Sequence, residues 1–329
     1  MNRRVHVLGT GGTIAGAQPD PGHYGYTPGA FGIDWLLNAV PGLDRLARLT
    51  GEQVVNIGSQ DMDDQVWLRL ARRLNEVLAL PETDAALITH GTDTLEETGY
   101  FLSLVTASDK PVVMVGSMRP ATAISADGPA NIYNGVAVAA DLRAIGRGTL
   151  VCLNDEIHYA RNAVKTGTSN PSAFSSMARG LAGVTSAGRV EWFERHAPAA
   201  VAPARFLLGE SAALPRVDIL HAHANMSLDL IDAAINGGAA GLVIAGVGAG
   251  NMSVRAIERL AAAAAQGVVV VRSSRVVSAI VLRNHEIDDD RMGFVAAGDL
   301  NGPKSRVLLQ LALMQTRDVA RIQQLFDEC

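Results

Sequence analysis

A doubly wound, mainly parallel α/β sheet is the architecture to which this sequence points, and three observations carry that reading. Short apolar runs alternate with longer stretches of helical periodicity. Several of the runs are apolar throughout, as strands covered on both faces must be. Runs and helical stretches follow one another in turn, the order expected of βα units in a parallel sheet, with ligands bound beyond the carboxyl ends of the strands. The 329 residues suffice for about two domains at roughly 150 residues each. With 48% hydrophobic and 19% charged residues the chain can bury a sizeable core.

The first strand is predicted over 5–9. Arg3 and Arg4 before it resemble the start of a signal peptide, but the apolar run is too short for one and turns into glycines at once. Further strands are predicted over 54–57, 85–89, 112–116, 150–153, 217–220, 242–247 and 268–271. Helices are predicted over 63–80, 95–106, 129–144, 228–236, 254–265 and 304–313. The helix over 63–80 sets Trp67, Leu70, Leu74, Val77 and Leu78 on one face. The alanine run at 261–265 is simply good helix. Between Glu194 and Arg216 periodicity lapses and Ala and Pro dominate. This predicts a linker over 195–215 between domains over 1–194 and 216–329. Residues 233–254 carry no charge and are long enough to span a bilayer, but six glycines and two asparagines there favour strand plus loop.

Composition excludes several classes. The net charge is −5, against the basic surplus of a nucleic-acid binder. Cys152 and Cys329 are the only cysteines, too few for a disulfide framework or a Cys-rich zinc site.

Polar groups cluster where strands end. The first strand runs into Gly9-Thr10-Gly11-Gly12-Thr13-Ile14-Ala15-Gly16. A dinucleotide fingerprint fails at Ile14, and a P-loop fails for want of a following Lys. What remains is a plain tight turn or a Thr13 hydroxyl presented as a nucleophile on a backbone a substrate can approach closely. Residues 18–32, rich in Gly and Pro and carrying Tyr24 and Tyr26, form a candidate lid or an ordinary surface loop. The second strand ends in Gly58-Ser59-Gln60-Asp61, groups that suit a zwitterionic amino acid and equally an N-cap loop. The third ends in Thr89-His90-Gly91-Thr92-Asp93-Thr94. Asp93 with Glu96 fits a capping box. In a functional reading, Thr92 and Asp93 sit at a helix N-terminus where backbone N–H groups stabilise an oxyanion and Asp93 receives an ammonium group. Lys165 alone reads as solvated surface. His221 and His223 share one strand face, but further metal ligands are lacking, and Asp288-Asp289-Asp290 reads as readily as a solvated turn.

The motifs around Thr13 and Thr92, with residues 51–62, Met118-Arg119-Pro120, Ser125-Ala126-Asp127-Gly128-Pro129, residues 271–276 and residues 306–313, closely resemble bacterial type II L-asparaginases over essentially the whole chain. The resemblance implies a larger N-terminal and a smaller C-terminal α/β domain. It implies hydrolysis of L-asparagine to L-aspartate and ammonia with no cofactor, in a homotetramer built as a dimer of intimate dimers; the incomplete ligand set around His221 and His223 separately predicts that no metal is needed. It makes Thr13 the acylated nucleophile, contacted by Tyr26 from the lid, and groups Thr92, Asp93 and Lys165 as a triad-like set. Ser59 and Gln60 would hold the substrate's α-groups, with Thr92 and Asp93 beside them. Asn251 and Glu286 would complete the site of a neighbouring subunit. Asn251 leans toward asparagine over glutamine, since Ser is frequent there in stronger glutaminases, whereas Ala249 departs from the more asparagine-selective pattern.

The disulfide common in periplasmic relatives is absent here. With no visible signal peptide this predicts a cytoplasmic protein, the periplasm being the alternative if a signal peptide has been removed. Histidines 221 and 223 replace aromatic residues of the family. Two other functions compete: the glutaminase-type subunit of an amidotransferase, and a non-catalytic amino-acid-binding module. No nucleic-acid or membrane partner is expected.

Overall fold

A computed structural model describes residues 3–20, 25–194, 205–209 and 212–329. The chain forms two compact units, Met1–Ala212 and Ala213–Cys329. Much of the predicted linker, residues 195–204, 210 and 211, lies outside the described residues, as does Tyr24.

In the first unit five strands run parallel: β1 (Arg3–Gly11), β2 (Ala47–Ile57), β3 (Ala85–Thr89), β4 (Val112–Val115) and β5 (Thr149–Leu153), in the order β2-β1-β3-β4-β5. Three antiparallel strands extend the sheet beyond β5: β6 (Glu156–Tyr159), β9 (Gly183–Ser186) and β10 (Arg189–Trp192). Between them β7 (Val164–Lys165) and β8 (Phe174–Ser175) form a small ladder of their own. The helices are α1 (Ile33–Asn38), α2 (Leu43–Leu46), α3 (Asp64–Ala79), α4 (Leu95–Val105) and α5 (Gly128–Ala140). Because side chains alternate across a strand, both sheet faces need cover. Gly135 of α5 lies against Leu87, Val113 and Val115, while Gly99 of α4 lies against Met114 and Val151, the alternate residues. Asp63 caps α3 by accepting from the Val66 N–H, and Trp67 of α3 donates to the Thr98 hydroxyl of α4 at 2.9 Å.

In the second unit β11 (Val217–His221), β12 (Gly241–Gly246), β13 (Val269–Ser274) and β14 (Phe294–Ala296) form a parallel sheet in sequence order. Its helices are α6 (Asp229–Asn236), α7 (Val254–Ala265), α8 (Asp289–Met292), α9 (Gly302–Leu313) and α10 (Val319–Glu328). The uncharged stretch 233–254 is divided among α6, β12 and the loop after it. Among the described residues no helix is long and apolar enough to cross a membrane.

Every predicted strand and helix exists, with corrections. The helix predicted over 129–144 stops at Ala140. Asp141 is extended (φ −73°, ψ 123°) and caps a separate 3-10 turn by accepting from the Arg143 N–H. Strands β6 to β10 and β14 and helices α1, α2, α8 and α10 are elements the sequence pattern does not predict. All six of these strands are four residues or fewer, too short for a periodic signal. The turn joining β9 to β10 places Ala187 at φ 48° before Gly188 at φ 77°, and Ala gives no warning of a left-handed turn.

Candidate active site

The strand order of the first unit reverses at β1, whose neighbours are β2 on one side and β3 on the other. At such a switch point the loops leaving adjacent strands diverge and open a crevice at the carboxyl edge. Its floor is backbone. A Cβ placed on Gly12, which sits at φ 82°, would lie 2.3 Å from the Gly91 Cα, and one on Gly91 would lie 2.6 Å from the Ser59 Oγ. The loops after β1, β2 and β3 therefore touch at positions where no side chain fits.

Thr13 opens a 3-10 turn, Thr13–Ala15, whose Ile14 and Ala15 are buried while Thr13 is half-exposed. Its Oγ1 hydrogen-bonds the Tyr26 hydroxyl at 2.8 Å. The segment carrying Tyr26 is stitched to the sheet edge. Ala17 and Thr27 exchange two backbone bonds, Gly29 N–H donates to the Gly12 carbonyl at 3.1 Å, and the Asn56 amide donates to the Gly29 carbonyl.

The loop after β3 corrects one expectation. Glu96 does not form a capping box with Asp93: the N-cap of α4 is Thr94, without a side-chain cap bond. Instead Glu96 Oε2 accepts from the backbone N–H of Lys165 at 3.1 Å. This fastens strand β7, so that Lys165 Nζ donates to Thr92 Oγ1 at 2.9 Å and to Asp93 Oδ1 at 2.5 Å. Lys165 is only 16% exposed, which removes the solvated-surface reading.

Ser59 is buried, and its Oγ accepts from the Asp93 N–H at 3.1 Å, leaving its own O–H to donate elsewhere. The Thr94 hydroxyl donates to the Ser59 carbonyl at 2.8 Å. Gln60 is exposed and its amide reaches Asp61 at 3.4 Å. Thus Thr13 with Tyr26, Ser59, and Thr92 with Asp93 and Lys165 stand on three touching loops.

Asn251 and Glu286 belong to the second unit, where Asn251 Nδ2 donates to Glu286 Oε2 at 2.7 Å. Asn251 closes a tight loop after β12, exchanging two backbone bonds with Val247.

Sequence reasoning passed over Asn56, Thr94, the real partner of Glu96, and His90. His90 is fully buried beneath the crevice loop. Its Nδ1 bonds the Gly91 carbonyl at 2.6 Å, and Nε2 has no hydrogen-bond partner among the described residues. Burial without a carboxylate partner pushes this imidazole down to about 4. Its position inside the Thr89–Thr94 motif was the only sequence signal. Burial also pushes the Cys152 thiol up to about 12, so it is no nucleophile.

Histidines 221 and 223 are exposed, and the His223 Nδ1 bonds the Ala224 carbonyl. The three aspartates do not form a solvated turn: Asp288 caps α8, Asp289 is buried against Arg272, and Asp290 pairs with Arg283. No group of three or more potential ligand side chains gathers among the described residues.

The family model for the asparaginase N-terminal domain matches residues 4–198, and that for the glutaminase/asparaginase C-terminal domain matches residues 216–326. On this two-unit α/β fold, those matches define a hydrolase. The chain is 46% identical to the probable periplasmic L-asparaginase of Haemophilus influenzae and to L-asparaginase 2 of Escherichia coli, each over 98% of this chain and 92% of the relative. The crystal structure of the probable cytoplasmic L-asparaginase from Campylobacter jejuni superposes with a TM-score of 0.95 at 43% identity, covering 99% of this chain and 100% of the other. The chain belongs to the asparaginase family.

Proposed function

We propose that this asparaginase-family hydrolase converts L-asparagine and water to L-aspartate and ammonia by double displacement through Thr13. The observation that carries the reading is the placement of two hydroxyls, Thr13 with Tyr26 and Thr92 with Lys165, on loops in mutual contact at the switch point. The substrate comes from the relatives, which are named for it.

A carboxamide is a poor electrophile with a poor leaving group, so splitting hydrolysis into acylation and deacylation lowers each barrier. The Thr13 Oγ attacks the carboxamide carbon and its proton passes into the hydroxyl network that begins at Tyr26. The Thr92 N–H, beside the start of α4, stabilises the oxyanion, a contact of the kind worth about 3–4 kcal/mol. The C–N bond breaks and ammonia leaves with the proton. Water then attacks the Thr13 ester, aspartate departs, and the hydroxyl is restored. Lys165, bonded to both Thr92 and Asp93, sets the direction of the Thr92 hydroxyl and supplies the charge for proton movement there. Ser59 and Gln60 hold the α-carboxylate and α-amino groups, and Asp93 accepts from the ammonium.

Asn251 and Glu286 complete the site of a neighbouring copy in a homotetramer built as a dimer of intimate dimers. The C-terminal match to glutaminase/asparaginase domains supports hydrolysis of L-glutamine as well, which this reading sets below that of L-asparagine. A cytoplasmic location rests on the missing disulfide: Cys152 and Cys329 are both buried and neither is in a disulfide. The test is ammonia release from L-asparagine and L-glutamine by purified protein. Turnover of asparagine with the weaker glutamine rate is expected, whereas binding without turnover would leave only an amino-acid-binding module.

A further inference from the structure

The second unit contains a buried ion pair that the reaction above does not use. Arg272, on β13, is 1% exposed and Asp289, at the start of α8, is 0% exposed. All five guanidinium N–H groups are used. Nε donates to Asp289 Oδ1 at 2.6 Å and Nη2 to Asp289 Oδ2 at 2.7 Å. Nη1 donates to the carbonyls of Ala249 at 3.2 Å and Gly250 at 3.3 Å, and Nη2 also to the carbonyl of Leu282 at 3.1 Å. Asp289 Oδ2 in addition accepts from the Asn284 N–H at 2.9 Å.

These bonds divide between two chain segments. Ala249 and Gly250 are the residues immediately before Asn251. Leu282 and Asn284 lead into Glu286, and Asp289 follows it. One planar fork therefore grips both loops whose side chains meet as Asn251 Nδ2 to Glu286 Oε2. Gly250 fits this crowding because it has no Cβ: at φ 83°, a methyl group there would lie 3.1 Å from the Arg272 Nη1 and 2.9 Å from Val281. A buried pair is a poor way to gain stability, since apolar residues of like volume do as well or better. What a fully bonded guanidinium supplies is fixed geometry in five directions, which Lys cannot reproduce.

We propose that Arg272 and Asp289 are positioning residues that set the Asn251–Glu286 pair in register for substrate binding. This rests on the reading of Asn251 and Glu286 as substrate-contacting. The pair touches no reacting atom, so it acts on binding through those two side chains and leaves the chemistry of Thr13 alone.

The experiment is a double-mutant cycle on the full-length enzyme with L-asparagine. Arg272→Lys keeps the charge against Asp289 and loses the fork to the carbonyls. Arg272→Met/Asp289→Leu removes both charges together and provides the readout should the lysine variant fail to fold. Either folded variant is expected to raise KM about 10-fold, with kcat changed less than about 3-fold. On a Glu286→Ala background the same change is expected to raise KM less than about 2-fold, because the side chain it positions is already gone. Unchanged KM in folded variants, or an equal rise on both backgrounds, overturns the proposal while leaving Glu286 as a substrate contact. Unchanged KM in both Glu286→Ala and Asn251→Ser themselves overturns the reading of those residues, and the proposal with it.

Discussion

The carboxyl ends of the two parallel sheets are built by different means. In the N-terminal unit strand order reverses at β1, and the crevice of that switch point lies above bare backbone, where the loops after β1 and β3 touch at Gly12 and Gly91. In the C-terminal unit β11 to β14 follow one another in order, no reversal opens a crevice, and the loops are clamped from beneath. A buried basic side chain lies under the loops at each end, His90 at one and Arg272 at the other. His90 has no carboxylate partner and stays neutral at ordinary pH; Arg272 has Asp289. The difference teaches a division of labour. In the function proposed above, the reacting hydroxyls stand where topology leaves a gap, and the residues that only need to be held in place stand where a buried pair holds them.

The contrast is tested most severely at Thr13. Thr13→Ala is expected to lower kcat at least ~10³-fold, while circular dichroism and aspartate binding stay near wild type. A variant keeping more than about a tenth of wild-type kcat would show that the gap does not house the nucleophile. Next in size is Lys165→Met, which removes the cation bonded to Thr92 and Asp93. A loss of roughly 10²–10³ in kcat is expected, and near-normal turnover would reduce Lys165 to a strut.

His90 supplies a pH test of the buried-base difference. Its folded-state value near 4 lies below the ordinary 6.5, so unfolded chains take up a proton between pH 6.5 and pH 4 that folded chains do not. Stability contributed by the neutral imidazole is therefore complete above pH 6.5 and falls on acidification through that window, by about 3 kcal/mol in total. Denaturant unfolding from pH 7 to pH 4 should show this slope and His90→Gln should flatten it; identical slopes would place the acid sensitivity elsewhere.

The smallest effect is expected at the clamped end. Glutamine is one methylene longer than asparagine, a difference usually worth about 10–200-fold in discrimination. Asn251→Ser should shift the ratio of kcat/KM for the two amides toward glutamine within that range, and Glu286→Ala should lower both, with assembly followed by light scattering. Equal efficiencies in the wild type, or a fully active monomer, would separate the second unit from substrate choice.

Local pattern was enough for most of the frame and for singling out the polar groups that the fold gathers at the strand ends. The apolar runs that became β3 and β12, the one-sided helix α3, and the Gly- and Thr-bearing strand ends were legible because burial periodicity and strand-end chemistry are written in neighbouring residues. Short polar strands such as β7 carry no such pattern, yet β7 brings Lys165 to Thr92.

Partnership was decided by the fold. Glu96 fitted a local capping box on spacing alone, but strand pairing offered it the Lys165 N–H, 69 positions away, and that bond formed. Asp289 fitted a solvated turn until β13 placed Arg272 beside it. The contact of Gly12 with Gly91 depends on β1 and β3 becoming neighbours, which no window of sequence contains. Residue type and local conformation follow from nearby atoms. Which distant groups meet follows from strand order, because a buried polar group takes the partner that the assembled sheet brings within hydrogen-bond reach.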